Sequence, residues 1–242
     1  RHDWVRTAVS LPADAINDRG HFGTCTPNIS DHGLMLAWGR LVADLHDEPG
    51  VYEVRCNDPW LYRHLAQIQG ISCERAPRLL PARLILMLRG TAARFRTAIA
   101  MMHACLSMRG QSPPSAGGSW LLVYGHPKSD SDGQDGYFGD LMRRIPSLYR
   151  ILHVDCPPNR AVELSRDGRT FSLHGFGSLF YASTLGFRRW RIPASAVEGP
   201  DAWLVRRAIT QDGGFAGAAM IAWQIHCQRR WLARHRPRHV FW

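Results

Sequence analysis

The sequence predicts an α/β fold, a parallel sheet flanked by helices, on three observations. Strand, helix, strand successions are legible at 51–76 and again at 120–156. The run WLLVYG at 120–125 is apolar and bounded by turn residues, as a strand buried on both faces of a parallel sheet is. Long helical patterns at 79–109 and 216–235 supply apolar faces to cover such a sheet. With 242 residues, 45% hydrophobic and 21% charged, the chain can bury a sizeable core as one large or two small domains, which excludes global disorder.

In chain order, GLMLAWGRLVADL at 33–45 is the first strong pattern. Leu34, Trp38, Leu41, Val42 and Leu45 share one helical stripe, with Ser30 and Asp31 as candidate N-caps. Pro49 and Gly50 break this helix, and VYEVRC at 51–56 alternates apolar and polar residues as a half-buried strand does. Asp58 and Pro59 open a helix that carries Trp60 or Leu61, Leu65 and Ile68 and closes on Gly70; ISCERA at 71–76 then reads as a short strand. Residues 79–109 predict a long helix studded with Arg83, Arg89, Arg94 and Arg96, with Gly90 as a candidate bend. Two readings of that helix compete. The commoner is a core-packing helix whose arginines reach out to water; the sharper is a basic amphipathic surface lying on an anionic membrane leaflet.

QSPPSAGGS at 111–119 is the clearest linker, because its prolines and small residues support neither helix periodicity nor strand pairing. It divides the chain into an α/β segment over 1–110, containing the long basic helix, and a second α/β segment over 119–242. After WLLVYG come the polar loop HPKSDSDGQDG, a helix YFGDLMRRI at 137–145 and a buried strand RILHVDC at 150–156, ended by Pro157 and Pro158. A turn is expected at Asp167 and Gly168. AGAAMIAWQIHCQRRWLARH at 216–235 predicts the last helix, with Ile221, Ile225, Trp231 and Leu232 inward and Pro237 marking its end. HVFW reads as the start of a buried strand. A strand needs neighbours, so the chain is expected to be a fragment that continues into a further element; a C-terminal edge strand is the alternative.

Lys and Arg outnumber Asp and Glu 30 to 20, a formal charge of +10, yet Lys128 is the only lysine. An almost all-arginine set spread through the chain points to compositional bias, and RRWLARHRPRH lacks the interleaved aromatics of a stacking surface, so nucleic acid is disfavoured as a partner. The apolar windows at 84–88 and 98–106 are too short to span a bilayer, and no signal-peptide pattern is legible. A cytoplasmic location is therefore expected, with peripheral contact at the inner face of the plasma membrane if the long helix is amphipathic. The six cysteines are dispersed without a CxxC pair, which fits reduced thiols, and no metal-ligand spacing or cofactor fingerprint occurs.

Chemistry concentrates in GHPKSDSDGQDGYFGD, which gathers His126, Lys128, Asp130, Asp132, Asp135, Tyr137 and Asp140 after a predicted strand. Open α/β sheets bind ligands at that edge. A calcium loop starting at Asp130 fails, since its sixth position is Asp135 and its twelfth Leu141. A phosphate-binding GxxxxGK[ST] and a GxSxG nucleophile elbow are absent. What remains is a flexible acidic loop that can offer a general base or hydrogen-bond sugar hydroxyls. His126 and Asp132 are the candidate catalytic residues; solvated Asp/Gly turns and a structural histidine are the plain alternatives. His153 and Asp155 alternate on the next strand and so share a face near its carboxyl end.

WLLVYGHPKSDSDGQDGYFGDLMRRI, RILHVD and AAMIAWQIHCQRRWLARHRPRHVFW together resemble the amino-terminal half of bacterial surface-carbohydrate biosynthesis proteins, glycosyltransferases of the two-Rossmann (GT-B-like) kind. The resemblance covers roughly residues 118–242. It implies a Rossmann-like domain on the acceptor side of sugar transfer, His126 and Asp132 in catalysis, and Lys128, Tyr137, Asp140, His153 and Asp155 in substrate binding. It further implies a nucleotide-sugar donor held mainly by a second, C-terminal domain, and a glycan or lipid-linked acceptor. The rival expectation is a basic module that binds nucleic acid or an anionic membrane without catalysis.

Overall fold

A computed structural model of the chain describes the residues from Asp31 onward, apart from 49, 51, 112–117, 190–196 and 212–215. Most of the segment expected as a linker thus lies outside the described residues. In chain order the elements are α1 (His32–His46), α2 (Pro59–Leu65), α3 (Leu79–Ser107), β1 (Ser119–Val123), α4 (Leu141–Arg144), β2 (Leu148–Leu152), α5 (Pro158–Leu164), β3 (Thr170–Ser172), α6 (Leu179–Thr184), α7 (Ala202–Gln211), α8 (Gly217–His235) and β4 (His239–Phe241). They pack as two compact units, one from the described residues up to Phe95 with Phe187–Ala219, the other from Arg96–Gly186 with Met220–Trp242.

In the first unit the described elements are helical. Asp58 starts α2 by accepting the N–H groups of Trp60 and Leu61 at 2.9 and 3.0 Å, with Pro59 in the first turn, where its missing N–H costs nothing. Trp60, Leu65, Leu204, Val205 and Ala208 are buried. The stripe predicted for α1 is corrected: Leu34, Trp38 and Leu41 are exposed, and the inward face is His32, Leu36, Gly39 and Val42. Gly39 explains the rotation, because a Cβ there would stand 2.6 Å from Nε2 of His64 on α2, and only a residue without one admits that approach.

The strands expected at 51–56 and 71–76 do not form among the described residues. The described residues 52–58 and 71–74 are irregular, with Tyr52 and Val54 about half exposed. Alternation is necessary for a strand but insufficient, since its stability comes from cross-strand partners, and among the described residues none pairs with these segments. The first strand, helix, strand succession is therefore replaced by helices and connections.

The second unit holds the predicted sheet. Four parallel strands run in the order β3-β2-β1-β4. Ser119–Val123 of β1 pair in register with Leu148–Leu152 of β2, and Ser119–Leu121 pair on the other side with His239–Phe241. One face of the sheet presents Leu121, Val123, Leu148 and Leu152 to a core shared with Met108, Met142, Ala161 and Leu164. The opposite face stacks Trp120 against Tyr149, Phe171 and Trp231 at centroid distances of 5.1, 5.8 and 5.5 Å. Each fully buried aliphatic side chain here contributes about 1.5–3 kcal/mol. The structure is thus mixed α/β with a parallel sheet flanked by helices, consistent with a Rossmann-like arrangement. Its order reverses between β1 and β4, the switch point at which such sheets open a crevice at their carboxyl edge.

Candidate functional site

The carboxyl ends of β1 and β2 are tied together, the N–H of His153 donating to the carbonyl of Val123 at 2.8 Å. Just past that bond lie the side chains able to do chemistry, of which His153 is itself buried, only 6% exposed. Tyr124, half exposed, packs its ring 4.7 Å from that of His153. His153 Nδ1 lies 3.0 Å from Oδ2 of Asp155, and the Asp155 N–H approaches the same nitrogen at 3.3 Å. The shorter contact is the carboxylate, so the neutral ring carries its proton on Nδ1 and keeps a lone pair on Nε2, which has no partner among the described residues. The hydrogen bond from His153 holds the Asp155 carboxyl below the usual carboxylate range, against the opposing effect of partial burial.

His126 has the opposite polarity. Its Nδ1 accepts the Lys128 N–H at 3.1 Å, which places the proton of the neutral ring on Nε2. Its ring meets Tyr137 edge-on at 5.0 Å. Gly136 lies against that ring so closely that a Cβ there would collide with it. The two imidazoles that follow β1 and β2 therefore differ in polarity, His153 presenting an acceptor nitrogen and His126 a donor N–H.

The loop between them, read as flexible, is tied down at both ends. Arg150, fully buried in β2, donates to the carbonyls of Asp130 at 2.8 Å and Gln134 at 3.1 Å and to Oγ1 of Thr170 at 2.9 Å. The buried carboxylates of Asp135 and Asp167 flank it at 3.5 Å each. Arg160 reaches the carbonyls of His126, Pro127 and Ser129. Asp135 accepts the N–H groups of Tyr137 and Phe138 and the hydroxyl of Ser129, so it serves the turn itself.

The remaining predicted residues distribute plainly. Asp132 is exposed, and its carbonyl accepts from Arg143 Nε at 2.9 Å. Asp140 pairs with Arg144 at 2.9 Å, one turn along. Lys128 and Tyr137 are exposed on the loop. β2 ends at Leu152, so His153 and Asp155 follow the strand instead of alternating on it, yet they meet. Among the described residues no group of three or more His, Cys, Asp or Glu side chains is placed to hold a metal ion.

The chain matches none of the protein-family models, curated proteins or solved structures with which it was compared. Chemistry must be read from the geometry.

Sequence reasoning passed over Tyr124, Arg150, Arg160 and His174. His174 is buried, its Nε2 donating to the Val154 carbonyl at 3.0 Å while its Nδ1 accepts from Trp223 Nε1 at 3.0 Å. Burial pushes its pKa down to about 4, so it stays neutral and structural. Arg150 had a signal: an arginine inside an apolar strand must find partners when the strand is buried. A hollow of about 320 Å³ lined by Gly175, Phe176, Arg230, Ala233 and Arg234 shares no residue with the His153 cluster.

Proposed function

We propose that this chain forms the acceptor side of a glycosyltransferase of the two-Rossmann kind, acting in assembly of a bacterial surface polysaccharide. The observation that supports it most is the placement of His153 and His126, with opposite tautomers, at the carboxyl edge of a parallel sheet beside its switch point. In this reading His153 is the base and His126 a donor to the acceptor's oxygens, a refinement of the roles the sequence suggested. The acceptor hydroxyl passes its proton to Nε2 of His153 as its oxygen bonds to the anomeric carbon. The bond from that carbon to the phosphate oxygen of the donor nucleotide breaks, and the electron pair leaves with the nucleotide. Asp155 faces the imidazolium that results. In this reading Tyr137 and Lys128, exposed on the loop, meet the sugar acceptor and the exposed Asp132 hydrogen-bonds its hydroxyls. The nucleotide-sugar donor belongs mainly to the second domain of such enzymes.

The test is a titration of the isotope-labelled chain with oligosaccharides and with UDP-, GDP- and CMP-sugars, read residue by residue by NMR. Oligosaccharides are expected to perturb Tyr124, His126, Tyr137, His153 and Asp155 first. Perturbation confined elsewhere, or no binding of any sugar, contradicts the reading. In a transfer assay of the protein together with its donor-binding domain, His153→Gln is expected to lower the rate by at least about 100-fold.

A further inference from the structure

α3 is turned inside out over its first half. Leu80 and Leu88 are each 67% exposed, Ile85 55%, Leu84 45% and Met87 41%, while the positions that turn inward farther along are Gly90, Arg94, Ala98, Ala104 and Cys105. A core-packing helix does the reverse, so the commoner expectation for this segment is corrected over residues 80–88. Leu80, Leu84 and Leu88 recur every fourth residue and form one ridge along the helix. Arg78, Arg83 and Arg89 are exposed around that ridge. No Asp or Glu occurs between Glu74 and Asp130, so nothing on the helix neutralises them. No helix of the described residues is long and apolar enough to cross a membrane.

We propose that the face of α3 carrying Leu80, Leu84, Ile85 and Leu88 docks on an anionic lipid surface, the leucines entering the acyl boundary and Arg78, Arg83 and Arg89 meeting the headgroups. Charge complementarity selects this occupant. A second copy of the chain would bring two sets of arginines together without a carboxylate to separate them. A nucleic acid would satisfy the arginines and leave five large aliphatic side chains in water. An anionic leaflet satisfies both halves of the face, which is the signature of a helix lying in the interface. The inference goes beyond sugar transfer and stands whether or not the sheet edge is catalytic.

The experiment is flotation of the full chain with phosphatidylcholine vesicles prepared with and without phosphatidylglycerol. Binding is expected only to the anionic vesicles and weakens as salt rises. Arg83→Gln and Arg89→Gln are each expected to lower the partition coefficient about fivefold. Leu84→Ser with Leu88→Ser lowers it at least about tenfold. All four side chains are exposed, so thermal melts followed by circular dichroism should not move and serve as the folding control. Absence of flotation overturns the proposal, as does flotation unchanged by the leucine variants. A concentration-dependent dimer in sedimentation that the leucine variants abolish assigns the face to a second copy and overturns it equally.

Discussion

Each unit of the molecule is organised around an arginine set between two aspartates, and the two arrangements work differently. In the helical unit Arg207 binds Asp31 through both terminal nitrogens at 2.6 and 2.9 Å and Asp58 through Nε at 2.6 Å. Burial alone would lower its pKa, but the hydrogen bonds and charges of Asp31 and Asp58 outweigh it and raise the value. In the sheet unit Arg150 makes its short contacts to carbonyls and a hydroxyl, and its carboxylates stand off at 3.5 Å. Asp31 and Asp58 keep 31% and 26% of their side chains exposed, whereas Asp135 and Asp167 keep 1% and 5%. Arg207 is therefore a charge node joining the starts of α1 and α2. Arg150 is the peg on which the 124–140 loop hangs.

The largest expected effect follows from burial. Arg150→Ala leaves two carboxylates uncompensated in the core and should cost about 3–5 kcal/mol in urea or thermal unfolding. Arg207→Ala should cost about 2 kcal/mol, because water can reach Asp31 and Asp58 once the guanidinium is gone. Equal losses would break the comparison. Acid sharpens it at His174. Its unfolded pKa is 6.5 and its folded value about 4, so the unfolded chain binds the extra proton between those limits. Stability should fall as pH drops from about 6.5 toward 4, by roughly 3 kcal/mol in total. His174→Phe should flatten that slope in melts recorded across the window. Gly136→Ala drives a methyl into the His126 ring and should cost about 2 kcal/mol, with NMR shifts confined to the loop.

Much of the second unit was legible because its signals are local. The apolar run at 120–125, the strand near 150, the turn at Gly168 and the helices at 79–109 and 216–235 all depend on pattern within one element, and all are found. β3 was missed because three residues carry no period. The strands expected in the first unit failed because alternation says nothing about partners, and the face of α1 was misplaced because one glycine contact decided it. The loop was found as a chemical cluster but misjudged as flexible, since its anchor Arg150 lies 15 residues beyond Asp135 and packs from a different element. The meeting of His153 with Asp155 was legible in their spacing. The polarity of the two imidazoles was not, because it is set by the backbone N–H of Lys128 in one case and a carboxylate in the other.

The smallest effect on stability carries the most information about the site. Asp155 is exposed, so Asp155→Asn should leave the melting temperature nearly unchanged while removing what fixes the proton on His153. Long-range ¹H–¹⁵N correlation of the histidine rings at neutral pH reads this directly. His153 is expected to be protonated on Nδ1 and His126 on Nε2 in the wild-type chain, with the His153 preference lost in Asp155→Asn. A wild-type spectrum showing His153 protonated on Nε2 would contradict it.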